Sequence, residues 1–229
     1  MSKYCPKCGD TGELFDTGER CTCPLGMGVY GEIVNECLVI PEQYRGNSFN
    51  TELIPEGLGD YFKKYMEELY TGVSNMTLRN VNIFLSTPPK HGKTFLAYSC
   101  IEKLYRRGVP VFPLYDVMEI KRMIVENDYG KKVKELENKG LEISLLYSAQ
   151  YLFVKIPSDL SFAVFDTIKL LLERRLRSDG GVTIFLSDLG WSYLSAADSK
   201  KVFSTLLGDG SFGTIINKTF YAPGGDKND

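Results

Sequence analysis

The chain has 229 residues, of which 43% are hydrophobic, enough for one core of ~100–200 residues and a small appendage. Its 27 Lys and Arg against 29 Asp and Glu leave a formal charge of −2, which excludes a broadly basic nucleic-acid coat and a highly charged disordered chain. No apolar run reaches the ~18 residues of a membrane span, and Met1-Ser2-Lys3 leads into Cys and Gly rather than an apolar signal segment, so a cytoplasmic protein with no membrane contact is expected.

Residues 1–36 carry two close cysteine pairs, Cys5/Cys8 and Cys21/Cys23, separated by a short Gly-rich stretch. Four sulfurs at this spacing suit a closed tetrahedral zinc site, structural rather than catalytic because no coordination position stays open. So few large apolar side chains give little burial, and a zinc ion would supply roughly 10–16 kcal/mol towards folding such a module. The competing readings are four unligated thiols or a Cys5/Cys8 redox pair. Cys37 and Cys100 lie outside the pattern and read as buried small residues.

Residues 37–58 read as a linker punctuated by Pro41, Pro55 and Gly57. Leu58 to Tyr70 has helical spacing, with Leu58, Phe62, Met66 and Leu69 on one face. The apolar run at 81–86 is of strand length and leads into Thr87-Pro88-Pro89-Lys90-His91-Gly92-Lys93-Thr94. A helix over 94–107 follows, with Leu96, Cys100 and Leu104 on one side. Strand, loop, Gly-Lys-Thr and helix is the context of a phosphate loop. The candidate nucleotide-binding residues are Pro89, Lys90, His91, Gly92, Lys93, Thr94 and Phe95. Loop and helix-start N–H groups would cradle the phosphates, Lys93 would neutralise their charge, and the Thr94 hydroxyl would reach Mg²⁺. The first glycine of the motif is replaced by Thr87, and two prolines remove two N–H donors; the competing reading is a surface turn. His91, the single histidine, has no identifiable orienting partner and reads as a loop side chain rather than a general base.

The remaining pattern alternates strand and helix: strand 109–114, helix 115–127, strand 151–156, helix 161–176, strand 182–187, helix 197–207 and strand 215–221. A charged, Gly-punctuated stretch from Asp128 to Ser148 reads as a helix and an exposed loop. This order predicts an α/β domain over 59–223, a parallel sheet with helices on both faces, and a tail over 224–229. Arg79 to Lys134 holds eleven basic and five acidic side chains, a bias suited to phosphate or equally to solvated helix faces. Tyr65, Tyr70, Tyr98, Tyr105 and Tyr115 read as core residues in preference to base-stacking ones.

Taken together, these segments resemble the replicative helicase loaders of the DnaC/DnaI type, in the form found in phages and prophages. The matching residues are Cys5 to Gly12 with Cys21-Thr22-Cys23, then Ile40-Pro41-Glu42-Gln43-Tyr44-Arg45-Gly46-Asn47-Ser48-Phe49, and then the phosphate loop. Leu171 to Arg175 and Val182 to Asp188 are similar to the family's later helix and sensor strand. The resemblance covers nearly the whole chain and is most specific in the cysteine segment and linker. It implies an AAA+ P-loop fold with an N-terminal four-cysteine zinc module. It also implies ATP or ADP with Mg²⁺, a replicative helicase and single-stranded DNA as partners, assembly on the helicase, and a cytoplasmic location, that of the host if phage-encoded.

The family's catalytic strand ends in two acids, whereas Tyr151 to Pro157 puts Lys155 and Ile156 there, with Asp159 beyond a proline. The sensor asparagine corresponds to Asp188, the candidate catalytic acid. On a second alignment Asp188 itself ends the acidic strand and would hold Mg²⁺, with Thr214 to Asn217 as sensor strand. Every arginine precedes Ser178, leaving no C-terminal arginine finger. The expectation is weak or degenerate ATP hydrolysis by a helicase-loading protein, or a non-enzymatic helicase- or loader-binding adaptor built on a decayed ATPase domain. A transposition-associated ATPase would be expected to keep the acids and a more basic surface. A stand-alone zinc-ribbon nucleic-acid binder is opposed by the acidic balance of residues 1–50.

Overall fold

In a computed structural model of the chain, the residues described are 14, 16–17, 40–44, 49–50, 52, 59–79, 81–107, 109–157, 162–178, 180–188 and 214–219. Cys5, Cys8, Cys21 and Cys23, the expected helix at 197–207 and the tail lie outside them. No helix among the described residues is long and apolar enough to cross a membrane.

The apolar run Val81–Ser86 forms β1, buried at all but its first residue. It pairs in parallel on both sides: Ile83 lies opposite Ile184 of β4 (Val182–Ser187) and Ile216 of β5 (Thr214–Thr219). β4 pairs in parallel with β3 (Tyr151–Ile156), which pairs with the two-residue β2 (Tyr115–Asp116), so the sheet order is β2-β3-β4-β1-β5. Parallel neighbours need crossovers, and among the described residues helices supply those that lead from β1 to β4, on both faces.

Side-chain alternation sorts the sheet into two faces. Ile83, Leu85, Tyr151, Phe153, Ile184 and Leu186 point to one side, against α1 (Gly59–Ser74) and α2 (Lys93–Arg106). Leu96, Cys100 and Leu104 of α2 are fully buried there, as their spacing predicts. Phe84, Leu152, Val154 and Phe185 point to the other side, under α3 (Val117–Asp128) and α6 (Phe162–Arg177). Phe84 stacks on Phe185 with ring centroids 4.5 Å apart.

The expected strand at 109–114 is not one. Pro110 and Pro113 lack the N–H a ladder needs, and pairing begins only at Tyr115 opposite Val154. α3 accordingly starts later than expected, at a capping box: Asp116 Oδ1 accepts from the N–H groups of Met118 (2.8 Å) and Glu119 (2.9 Å), and Glu119 Oε2 accepts from Asp116 N–H at 2.8 Å. The Asp128–Ser148 stretch holds two short helices, α4 (Lys134–Glu137) and α5 (Ile143–Ser148), anchored by buried Leu136 and Leu146.

Arg175 of α6 is buried, and burial lowers its pKa to about 10. Its guanidinium donates to Thr183 Oγ1 (2.9 Å), Leu146 O (2.9 Å) and Ala149 O (2.8 Å), tying α6 and the end of α5 to β4.

Candidate phosphate-binding site

In parallel α/β sheets, ligands gather outside the carboxyl ends of the strands, and the loop after β1 sits there. Thr87 N–H donates to Ser187 O at 3.1 Å, so the first loop residue is stitched to the end of β4. Pro88 and Pro89 follow, then Lys90 at φ 67 and Gly92 at φ 83. Gly92 is the N-cap of α2 in a left-handed conformation that a Cβ would strain. Lys90 adopts a similar conformation without that freedom.

Lys93 is the second residue of the Gly-Lys-Thr signature and the first of α2. Its side chain is 6% exposed, and Nζ donates to Thr87 O (2.7 Å), Thr87 Oγ1 (2.6 Å) and Pro88 O (2.9 Å). It also pairs with Asp188 Oδ1 at 2.8 Å; Asp188, just beyond β4, is 52% exposed. Burial lowers the Lys93 pKa, while the hydrogen bond and charge of Asp188 oppose that shift. The structure thus brings Asp188 to the phosphate-loop lysine, across the β1–β4 pairing. The Thr87 hydroxyl and carbonyl serve the lysine directly, a role that a departure from the glycine motif conceals in sequence.

His91 Nδ1 donates to the carbonyls of Pro88 (3.1 Å) and Pro89 (2.9 Å), which makes it a brace within the loop. Pro89 and Lys90 are exposed; His91, Gly92, Thr94 and Phe95 are half-buried. The first-turn amides of α2 have no intrahelical acceptor by geometry and are the donors that a phosphate loop offers. Phe95 is held by the linker motif: Phe49 lies 5.4 Å and Tyr44 6.2 Å from its ring, and Tyr44 stacks on Tyr98 at 5.1 Å. Ile40 is fully buried alongside. Tyr98 and Tyr115 are buried, and Tyr65, Tyr70 and Tyr105 pack against the core, as expected of core tyrosines.

Lys155 lies at the corresponding end of β3, opposite Leu186 of β4. Its Nζ stands 5.9 Å from the centre of the Tyr98 ring. A magnesium ion held by a protein needs oxygen donors, in nucleotide sites one or two carboxylates beside the phosphates. Here Asp188 is engaged by Lys93, the end of β3 offers an ammonium and a buried isoleucine, and Thr94 contributes one hydroxyl. Among the described residues no group of three or more His, Cys, Asp or Glu is arranged to hold a metal. Among the described residues the donors are one carboxylate already paired with Lys93 and one hydroxyl, a poor set for a protein-held magnesium.

A five-stranded parallel sheet in this order, with helices on both faces and a lysine-bearing loop leaving β1, defines a layered α/β fold. Among solved structures, DnaI superposes with a TM-score of 0.55 at 13% identity, covering 80% of this chain and 96% of that one. The replication initiator DnaA, bound to AMPPCP and single-stranded DNA, gives 0.50 at 17% identity over 78% of this chain and 50% of that one. The DnaC helicase loader gives 0.49 at 15% identity over 80% and 100%. At such identities the likeness is one of fold. No family model matches the sequence, and no curated protein does.

Proposed function

We propose that the chain is a nucleotide-binding DNA replication protein that engages a replicative helicase and places it on single-stranded DNA. The observation that carries this is Lys93: a buried ammonium at the start of a helix, at the carboxyl end of β1, with the first-turn amides of α2 beside it. The likeness in fold to DnaI, over almost the whole of that chain, supports the loader role. The basic segment Arg79 to Lys134 is the surface proposed to meet DNA, and assembly on the helicase ring is part of the same reading. Residues 1–36 are proposed as the helicase-contacting module, with a structural zinc on Cys5, Cys8, Cys21 and Cys23. About one zinc per purified chain, lost in Cys8→Ala, is the expected result of metal analysis.

Hydrolysis should be slow. Among the described residues the acid at the loop, Asp188, is bound to Lys93, and β3 ends in Lys155 and Ile156. The groups that usually stabilise charge in phosphoryl transfer are therefore few. These same features favour a second reading, an adaptor that binds helicase or loader without nucleotide. A fluorescent ATP analogue separates the two. Saturable binding that disappears in Lys93→Ala supports the first, and no binding up to millimolar concentrations supports the second. Capture of a replicative helicase by the full chain, with and without ATP, tests the partner.

A further inference from the structure

A nucleoside triphosphate brings more negative charge than one lysine offsets, and Lys93 is itself partly neutralised by Asp188 at 2.8 Å. Nucleotide sites commonly meet the surplus with a magnesium ion, for which the described residues here offer one lysine-bound carboxylate and one hydroxyl. What it has is a second ammonium. Tyr151 and Phe153 of β3 point to the α2 side of the sheet, and strand alternation puts Lys155 on that side too. The contact with Tyr98 confirms it, since Tyr98 belongs to α2 and lies one helical turn beyond Thr94. Among the described residues no carboxylate pairs with Lys155, and its ammonium rests against an aromatic ring at the end of a flexible stem. Thr87 and Asp188 thus follow the ends of the neighbouring strands β1 and β4, while Lys155 is the next-to-last residue of β3, level with Leu186, on the face of the sheet that α2 covers.

We infer that Lys155 takes the place of the divalent cation, so that the site binds a nucleoside triphosphate through two lysines and without magnesium. This rests on the nucleotide-binding reading above. The physical reason is charge: an ammonium where an acid would otherwise hold the metal repels a dication and attracts the phosphates it would have bridged. A lysine is also a weaker electrophile than a metal, consistent with a site that holds nucleotide without cleaving it quickly.

The test is a titration of the full chain with a fluorescent ATP analogue, in magnesium chloride and in EDTA. The dissociation constants in the two buffers are expected to agree within about threefold, and Lys155→Ala should weaken metal-free binding about tenfold or more, the loss of one charge-assisted contact. Lys155→Arg should retain metal-free binding, and Lys155→Asp should make binding depend on magnesium. Circular dichroism of each variant separates a lost contact from a lost fold, and the comparison of buffers on the unmutated chain needs no variant. Binding that weakens about tenfold or more in EDTA, or a folded Lys155→Ala protein that binds as well as the parent there, overturns the inference while leaving nucleotide binding intact. Absence of binding in both buffers removes the nucleotide-binding reading and this inference with it.

Discussion

Replacing Asp188 with asparagine should tighten nucleotide binding. Asn keeps the shape of the side chain and a carbonyl oxygen for the Lys93 ammonium, so the loop is left in place while one negative charge is removed. Two effects then act in the same direction: Lys93 gives up less to turn towards phosphate, and the phosphate no longer meets a carboxylate. A charge-assisted hydrogen bond is worth about 1.5–3 kcal/mol when both partners are enclosed, and an exposed ion pair about 0–1 kcal/mol. Lys93 is 6% exposed but Asp188 is 52% exposed, which puts the pair near the lower range. About 1 kcal/mol corresponds to roughly fivefold in dissociation constant. Calorimetric titration of the parent and the Asp188→Asn protein with a non-hydrolysable ATP analogue, with and without magnesium, reads this directly. Unchanged or weaker binding would refute the reasoning. Weaker binding in magnesium alone would instead assign Asp188 to the metal, as the second alignment of the sequence has it.

Arg175→Met should lower the unfolding free energy by about 2–4 kcal/mol, because Leu146 O, Ala149 O and Thr183 Oγ1 lose buried donors; a denaturant melt checks it. Gly181→Ala should cost about 2 kcal/mol or more, since a Cβ there would stand 2.1 Å from Gln150 O, the acceptor of the Val182 N–H that opens the β3–β4 pairing; a thermal midpoint no lower than the parent's would contradict the packing. Asp128 is held below its ordinary value of 3.8 chiefly by hydrogen bonds from Arg174, at 2.9 and 2.6 Å. A depressed carboxylate stabilises the fold above its unfolded pKa, and this is lost as pH falls through the folded one. Asp128→Asn should therefore cost up to about 1 kcal/mol at neutral pH, the side chain being partly exposed, and the gap should close on acidification below the ordinary carboxylate value.

The elements around the phosphate loop were legible because their signals are local. Val81–Ser86 is apolar throughout its buried part, Gly92 supplies the turn, and α2 shows its buried face at Leu96, Cys100 and Leu104. β2 was misplaced because the prolines that remove its ladder bonds sit within an apolar stretch that otherwise reads as a strand. The inward role of Arg175 gave no sequence signal, since a basic residue near a helix C-terminus ordinarily reads as solvated. The composition of the site is a tertiary fact. Lys93 and Asp188 meet because β1 and β4 are neighbours, and sequence order places β2 and β3 between them.

Lys155 differs from these cases. Read along the strand it is only a missing acid, but the period-two pattern that sends Tyr151 and Phe153 into the α2-side core also fixes the side on which Lys155 must emerge. Once β3 is accepted as a strand of a sheet bearing a phosphate loop, parity alone sets that ammonium on the face of α2. Set against the acid-ended strand that the resemblance implies, Lys155 adds a cation where a metal ligand would stand. A site that had merely decayed would be free to place any residue there, whereas one reshaped to hold phosphate without metal needs a positive charge at this position. Substitution of Lys155 distinguishes the two histories by its effect on binding in EDTA.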